Sequence, residues 1–363
     1  MKVKVLLAIV PLVAAATAMA CGFAGGLARL GLGPDNAVAI DAHGAFMICG
    51  FFGTLIALER AVAGGRLADF LAPAFGAAGV ILTHAGLAEA AASAYGLSAL
   101  MLTGLTLLAA IRQPEPFTIL MAGAAAIFTY GCVLWIRGET AADVAYLWLG
   151  FLVLTVLAER LELSRLRAHS PAALGLLGLF LAVFVGALIT GEPWQHGSAA
   201  LGGSLIAAAL WFLLRDVAVV TIRQRGLARF SAVCLMTGYG WLIVAGSSLI
   251  ALPPGEAMFG HDMAVHAIGL GFVLSMVMAH APIILPAIVG LKVRYQPALY
   301  GPVLVLQAGV AARMSGDILE SDLVRQVSAV LTVTAVVLYL AILVVTRLAD
   351  LLAERRRRPS PAL

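Results

Sequence analysis

Gly50-Phe51-Phe52-Gly53-Thr54-Leu55-Ile56-Ala57-Leu58-Glu59-Arg60 closes a predominantly apolar run that opens at Ala37. Such a run crosses a bilayer as one helix, because about twenty residues rising 1.5 Å each match the hydrocarbon thickness. Its first charges after the apolar stretch, Glu59 and Arg60, then fall where headgroups begin. Runs of the same kind recur to the end of the chain: Val5 to Gly26, Ala37 to Leu58, Phe70 to Leu87, Ala90 to Ile111, Phe117 to Ile136, Val144 to Ala158, Ala172 to Ile189, Ser198 to Leu214, Phe230 to Leu252, Met263 to Gly290, Ala298 to Ala312 and Leu323 to Val345. With 62% apolar and 12% charged residues, the composition lies far from that of soluble domains. The expected fold is an all-α membrane bundle of twelve transmembrane helices, residues 1–350, followed by a basic tail, residues 351–363.

The basic residues orient the bundle. Alternate gaps, with both termini, hold Lys2, Lys4, Arg60, Arg66, Arg112, Arg160, Arg165, Arg167, Arg215, Arg223, Arg225, Arg229, Lys292, Arg294, Arg347 and Arg355 to Arg358, nineteen of the twenty-three Lys and Arg. The opposite gaps hold Arg29, Arg137, Arg313 and Arg325. The positive-inside rule places both termini in the cytoplasm of a bacterial-type inner membrane and makes the span count even. The first run, after Lys2 and Lys4, reads as a retained helix rather than a cleaved signal, although Cys21 after a small residue also fits a lipoprotein-type signal. The tail reads as a solvated anchor on an anionic leaflet.

Cys21, Cys49, Cys132 and Cys234 are scattered over different spans with no CxxC, so no disulfide framework, zinc site or iron–sulfur site is signalled. The chain has no Walker sequence, nucleophile elbow or dinucleotide fingerprint, which argues against hydrolases and nucleotide-driven pumps. Nothing in it suggests a nucleic-acid partner.

The opening stretch has a second copy. Gly150-Phe151 to Glu159-Arg160 repeats its Gly-Phe start and Glu-Arg finish one hundred residues on. Gly271-Phe272 to His280-Ala281 is a weaker third copy, with His280 at the Glu position. Runs two, six and ten therefore correspond, which predicts three four-helix units about a pseudo-threefold axis along the membrane normal. Glu59-Arg60, Glu159-Arg160 and Arg215-Asp216 read as interfacial ion pairs that fix helix register, in competition with a proton-uptake role.

The histidines carry the chemistry, because an ionisable group at membrane depth marks a site. His169 falls in an inner gap and His196 in an outer loop, whereas His43, His84, His261 and His266 gather in the outer third of the bundle. His43 and His266 match in depth and lie among glycines and alanines (Gly44, Ala45 and Gly50; Ala267, Gly269 and Gly271). Two imidazoles from separate helices at one level, with small residues around them, suit the axial positions of a haem. Interhelical hydrogen bonding of the same rings is the plainer alternative. His280 lies roughly 21 Å deeper than His266 and, at 100° per residue, returns to within about 40° of the same face, so both could look into one channel. Pro282 and Pro286 should kink or break that helix, leaving His280 either to complete a second, deeper site or to cap freed backbone.

This arrangement resembles the catalytic subunit of the haem-copper oxidases. The resemblance lies in the twelve spans with both ends inside, in Ala42-His43-Gly44 to Met47, and in His261-Asp262 with Leu274-Ser275-Met276. It is more similar in kind to the short NnrS family of haem- and copper-containing membrane proteins, through His266-Ala267 and the later His280. The residues expected to bind haem b are His43, His266 and His280, with His84 and His261 as metal candidates; the resemblance implies copper beside haem and a nitric-oxide-related role. The chain departs from the oxidases in reading Gly269-Leu270-Gly271 where they carry His-x-His, and in lacking copper-binding histidines in runs six and seven. An oxygen-reducing binuclear centre is therefore not expected, whereas a single bis-imidazole haem is.

The expected function is a membrane haem protein that passes electrons from a periplasmic donor or binds a small gas ligand. Met258 and Met263 could serve a passing copper ion. A proton-coupled solute transporter or channel lined by His43, His266 and His280 is the alternative class. The parallel repeat and the lack of deep carboxylates count against it. A relative that has kept the bundle and lost the cofactor, serving as a structural subunit, is the third.

Overall fold

The computed structural model describes residues 2–34, 36–167, 169–190, 198–289 and 294–357. His196, Lys292 and Arg358, assigned to loops or tail above, lie outside them. Among the described residues twelve long helices follow one another: α1 (Lys2–Arg29), α2 (His43–Gly64), α3 (Leu67–His84), α4 (Ala88–Arg112), α5 (Pro116–Ile136), α6 (Ala141–Leu163), α7 (Pro171–Ile189), α8 (Ser198–Arg215), α9 (Leu227–Ala251), α10 (Gly260–Ile283, continuing to Val289), α11 (Tyr300–Ile318) and α12 (Asp322–Arg357). Among the described residues there is no strand, and eleven of the helices are long and apolar enough to cross a membrane. This is a multi-pass membrane protein. α11 is not among the eleven, since Gln307, Arg313 and Asp317 lower its apolarity.

Helix ends follow local chemistry. The run expected to begin at Ala37 is split: Asn36 caps a short helix, Ala37–Asp41, by accepting from the Ala39 N–H at 3.2 Å, and α2 starts afresh at His43. α2 ends at Gly65, whose φ of 75° is open to glycine at little cost. α6 begins one turn earlier than expected because Thr140 and Asp143 form a capping box. α11 runs past Ala312 to Ile318, so Arg313 and Asp317 lie inside a helix instead of in the expected gap. Both are buried, at 8% and 3% exposure. They are tolerated there because each is paired, Arg313 with Asp262 and Asp317 with Arg325 at 2.9 Å.

α2 and α10 each contain an eight-residue π-helical segment, Phe46–Gly53 and Ala267–Leu274. The two are displaced by 221 residues, the displacement that carries Gly50-Phe51 to Gly271-Phe272. The helices holding the three sequence copies are also the most enclosed. Of α2, α6 and α10, 67%, 72% and 67% of residues are buried, against 33–50% in the other membrane-length helices. α6 packs against both of the others.

The expected break at Pro282 and Pro286 does not occur, and Ser275–Val289 is one continuous helix. Pro282 has no N–H for the Met278 carbonyl four residues back, and Tyr339 of α12 donates its hydroxyl to that carbonyl at 2.7 Å. Ser231 of α9 donates to the next carbonyl, Ala279, at 2.9 Å. The carbonyl that Pro282 frees is thus satisfied by Tyr339 and not by His280.

Candidate functional site

Small residues on α1 let α2 approach it. A side chain at Gly25 would collide with the Ala39 carbonyl, and one at Gly22 would collide with Met47. This close approach brings His43 to the α1 backbone, where its Nδ1–H donates to the Gly22 carbonyl at 2.6 Å. Gly26 lies against the ring: a Cβ there would stand 3.0 Å from His43 Cε1. Across the gap, His266 Nδ1–H donates to the Asp262 carbonyl at 2.8 Å and lies 3.3 Å from Asp262 Oδ1. Asp262 is in turn held by Arg313, whose Nε donates at 2.7 Å.

The two imidazoles face one cavity. Their ring centres are 6.5 Å apart and their planes differ by 25°. With both Nδ1–H groups given to backbone carbonyls, each Nε2 carries the lone pair, and no described residue bonds either one. The cavity measures about 340 Å³, within the range of ligand pockets. Phe52, Leu149 and Leu152 line its apolar part, and Arg29, Asp41, Arg313 and Arg325 its charged rim. Gly44 and Gly269 belong to the wall and face space: a Cβ at Gly44 would meet nothing within 4 Å, and one at Gly269 only Leu149 at 3.9 Å.

Of the other histidines, His261 lines the cavity and lies edge-on to Tyr146, with ring centres 5.3 Å apart. His84 does not line it. Its Nδ1 is 4.0 Å from Cys21 Sγ, so the two metal-candidate histidines fall at separate places. Among the described residues no three or more His, Cys, Asp and Glu gather as a metal-binding group.

His280 stands apart from the pair. It is absent from the cavity wall, its Nδ1–H donates to the Met276 carbonyl at 2.8 Å, and its Nε2 stands 3.5 Å from Arg160 Nη1. Fourteen residues of helix carry it roughly 21 Å deeper than His266, beyond the cavity. It belongs instead to a buried network. Arg160 grips Asp216 with two bonds of 2.6 and 2.9 Å, and Tyr239 donates to the same carboxylate at 2.5 Å. Asp216 is fully buried, where an interfacial ion pair had been expected. Arg60, by contrast, bridges from α2 to Glu159 of α6 at 3.0 Å, as an ion pair that fixes helix register would.

Sequence reasoning missed Asp262, Arg313 and the Gly22 carbonyl as the groups that orient the two rings. The closely spaced Gly22, Gly25 and Gly26 were the available signal for the last, because small residues mark where backbones touch.

Fold and site together define a multi-pass helical membrane protein with paired imidazoles bordering a cavity near the first turns of α2 and α10. The family described as Domain of unknown function (DUF8744) matches residues 7–348, and the chain belongs to it. No curated protein and no solved structure matches the chain.

Proposed function

We propose that the chain is an integral membrane haem protein in which His43 and His266 would hold a haem b toward the outer face. The observation that carries this reading is the spacing of the two rings. Imidazoles sharing one metal through bonds of about 2.0–2.1 Å, with each ring centre roughly 1.2 Å further on, stand about 6.4 Å apart, close to the observed 6.5 Å. Their Nδ1–H bonds fix the tautomer that leaves Nε2 as the ligand, the usual arrangement of a metal-binding histidine.

The cavity chemistry agrees. Gly44 and Gly269 leave room for a flat macrocycle, Phe52, Leu149 and Leu152 give it apolar surface, and Arg29 in the wall suits a carboxylate. When bound, the group would supply one-electron chemistry or binding of a diatomic gas such as nitric oxide. The protein's part is to hold His43 through Gly22, to hold His266 through Asp262 and Arg313, and to exclude water with the apolar wall. For copper, which the resemblance implies, His261 is the candidate ligand in that wall.

The finer topology belongs to the same reading. Twelve spans, three four-helix units and cytoplasmic termini are supported by the alternating basic gaps, the equal displacement of the two π segments and the central place of α2, α6 and α10.

The test is an absorption spectrum of the detergent-purified protein. A Soret band with sharp α and β bands on reduction is expected, and His43→Ala and His266→Ala should each abolish it. A spectrum that survives both substitutions refutes the ligand assignment. A colourless preparation of folded protein removes the haem and leaves the proton-coupled transporter or the cofactor-less structural subunit.

A further inference from the structure

At the end of the bundle where α6 and α8 finish and α7 and α9 begin, the two connections, residues 163–170 and 215–229, carry six arginines and one carboxylate, that of Asp216. That carboxylate does not serve the surface. It is fully buried and turned inward to Arg160, Tyr239 and the Ala218 N–H. Arg165 is taken by Glu162 at 3.3 Å. Arg167 and Arg215, by contrast, form no ion pair among the described residues.

These two guanidiniums are held in one place. Arg167 Nη1 donates to the Asp216 carbonyl at 2.9 Å, next in the chain to Arg215. This is the one bond its guanidinium makes among the described residues, and that of Arg215 makes none, which leaves most of the five N–H donors of each unused. His169 lies between them. Its ring centre is 5.1 Å from that of Trp211, which stands one turn before Arg215 on the same side of α8. Burial, then Arg215 and Arg167, disfavour a proton on this ring, so both cations are its neighbours. Trp211 in turn donates to the Ala173 carbonyl at 2.9 Å and ties α8 to the first turn of α7.

Two cations brought together without a counter-charge repel, and an anion between them removes the repulsion. Guanidinium forks match the paired oxygens of a phosphate. The level of the cluster selects the source of that phosphate. It lies where apolar helices give way to charge, which is headgroup depth. Leu210 and Leu214 of α8 and Leu176 of α7 are exposed on its apolar side, a surface for acyl chains.

We propose that Arg167 and Arg215 bind the phosphodiester of one anionic phospholipid, with His169 and Trp211 as the floor of the headgroup site and the acyl chains lying along α7 and α8. The inference is independent of the haem reading, since none of these residues lines the cavity. Removing one arginine beside an anionic headgroup weakens binding about fivefold.

The experiment is native mass spectrometry of the full-length protein in neutral detergent, with palmitoyl-oleoyl phosphatidylglycerol as the probe and phosphatidylcholine of the same chains, inorganic phosphate and glycerophosphoglycerol as comparators. One phosphatidylglycerol should stay on each chain in preference to phosphatidylcholine, and neither chain-free anion should displace it. Arg215→Gln, at an exposed position, should weaken retention about fivefold. Arg167→Gln combined with it should bring retention to the phosphatidylcholine level, whereas Arg223→Gln with Arg225→Gln, in the same connection, should leave it intact. Unchanged retention in Arg215→Gln overturns the proposal, even if the double variant fails to fold. An equal loss in the Arg223 and Arg225 variant overturns it in favour of diffuse charge attraction, and displacement by inorganic phosphate in favour of a free-anion site.

Discussion

Gly26 governs how His43 stands. A side chain there would press on Cε1 at 3.0 Å and on Nδ1 at 3.2 Å, against a ring already held by its bond to Gly22. Gly26→Val should therefore lower haem content several-fold at unchanged expression, measured by extracting the pigment. Full occupancy in that variant would mean that the ring is not held as described. Asp216 bears on stability instead. Removing it as Asp216→Ala strands Arg160 in a buried site, which costs about 3–5 kcal/mol, to be read as a fall in the unfolding midpoint in detergent. His169 answers to pH: burial first, then Arg215 and Arg167, hold its pKa below the usual 6.5. The folded state then takes up a proton less readily than the unfolded one, so stability is full above pH 6.5 and declines as pH falls below it. His169→Gln should flatten that decline. At this scale the shared level of His43 and His266 was legible from charge and hydropathy. Their hydrogen-bond partners were not, because Gly22 meets His43 only through the packing of two helices.

The helices themselves were largely legible, since hydrophobic length sets them, and their ends shifted by a turn where Asn36 or the Thr140–Asp143 box decided the start. The π segments were not. They depend on how Gly50 and Gly271 pack against neighbours, Tyr95 and Trp241 among them, and no local propensity announces them. Deleting one residue from Phe46–Gly53 should restore α-helical winding and swing His43 away from His266. Haem binding should then be lost while circular dichroism keeps its helical signal. Tyr339→Phe should cost about 1–3 kcal/mol by leaving the Met278 carbonyl unpaired in the bundle. An unchanged unfolding midpoint would show that another donor takes it.

At the scale of the molecule, the alternating basic gaps predict that a fluorescent protein fused after residue 357 is bright in the cytoplasm and that phosphatase inserted near Glu139 is active outside. The reverse pattern would invert the bundle. α1 and α12 meet where Gln326 donates to the Leu30 carbonyl at 2.9 Å. Leu27 and Leu30 of the first helix and Ala329 and Val333 of the last both wall the cavity. The pocket thus has no complete boundary while the ribosome is still threading the chain into the membrane. The wall closes only once α12 has packed against α1, and a chain truncated before Asp322 would leave the bundle with an open seam along its side.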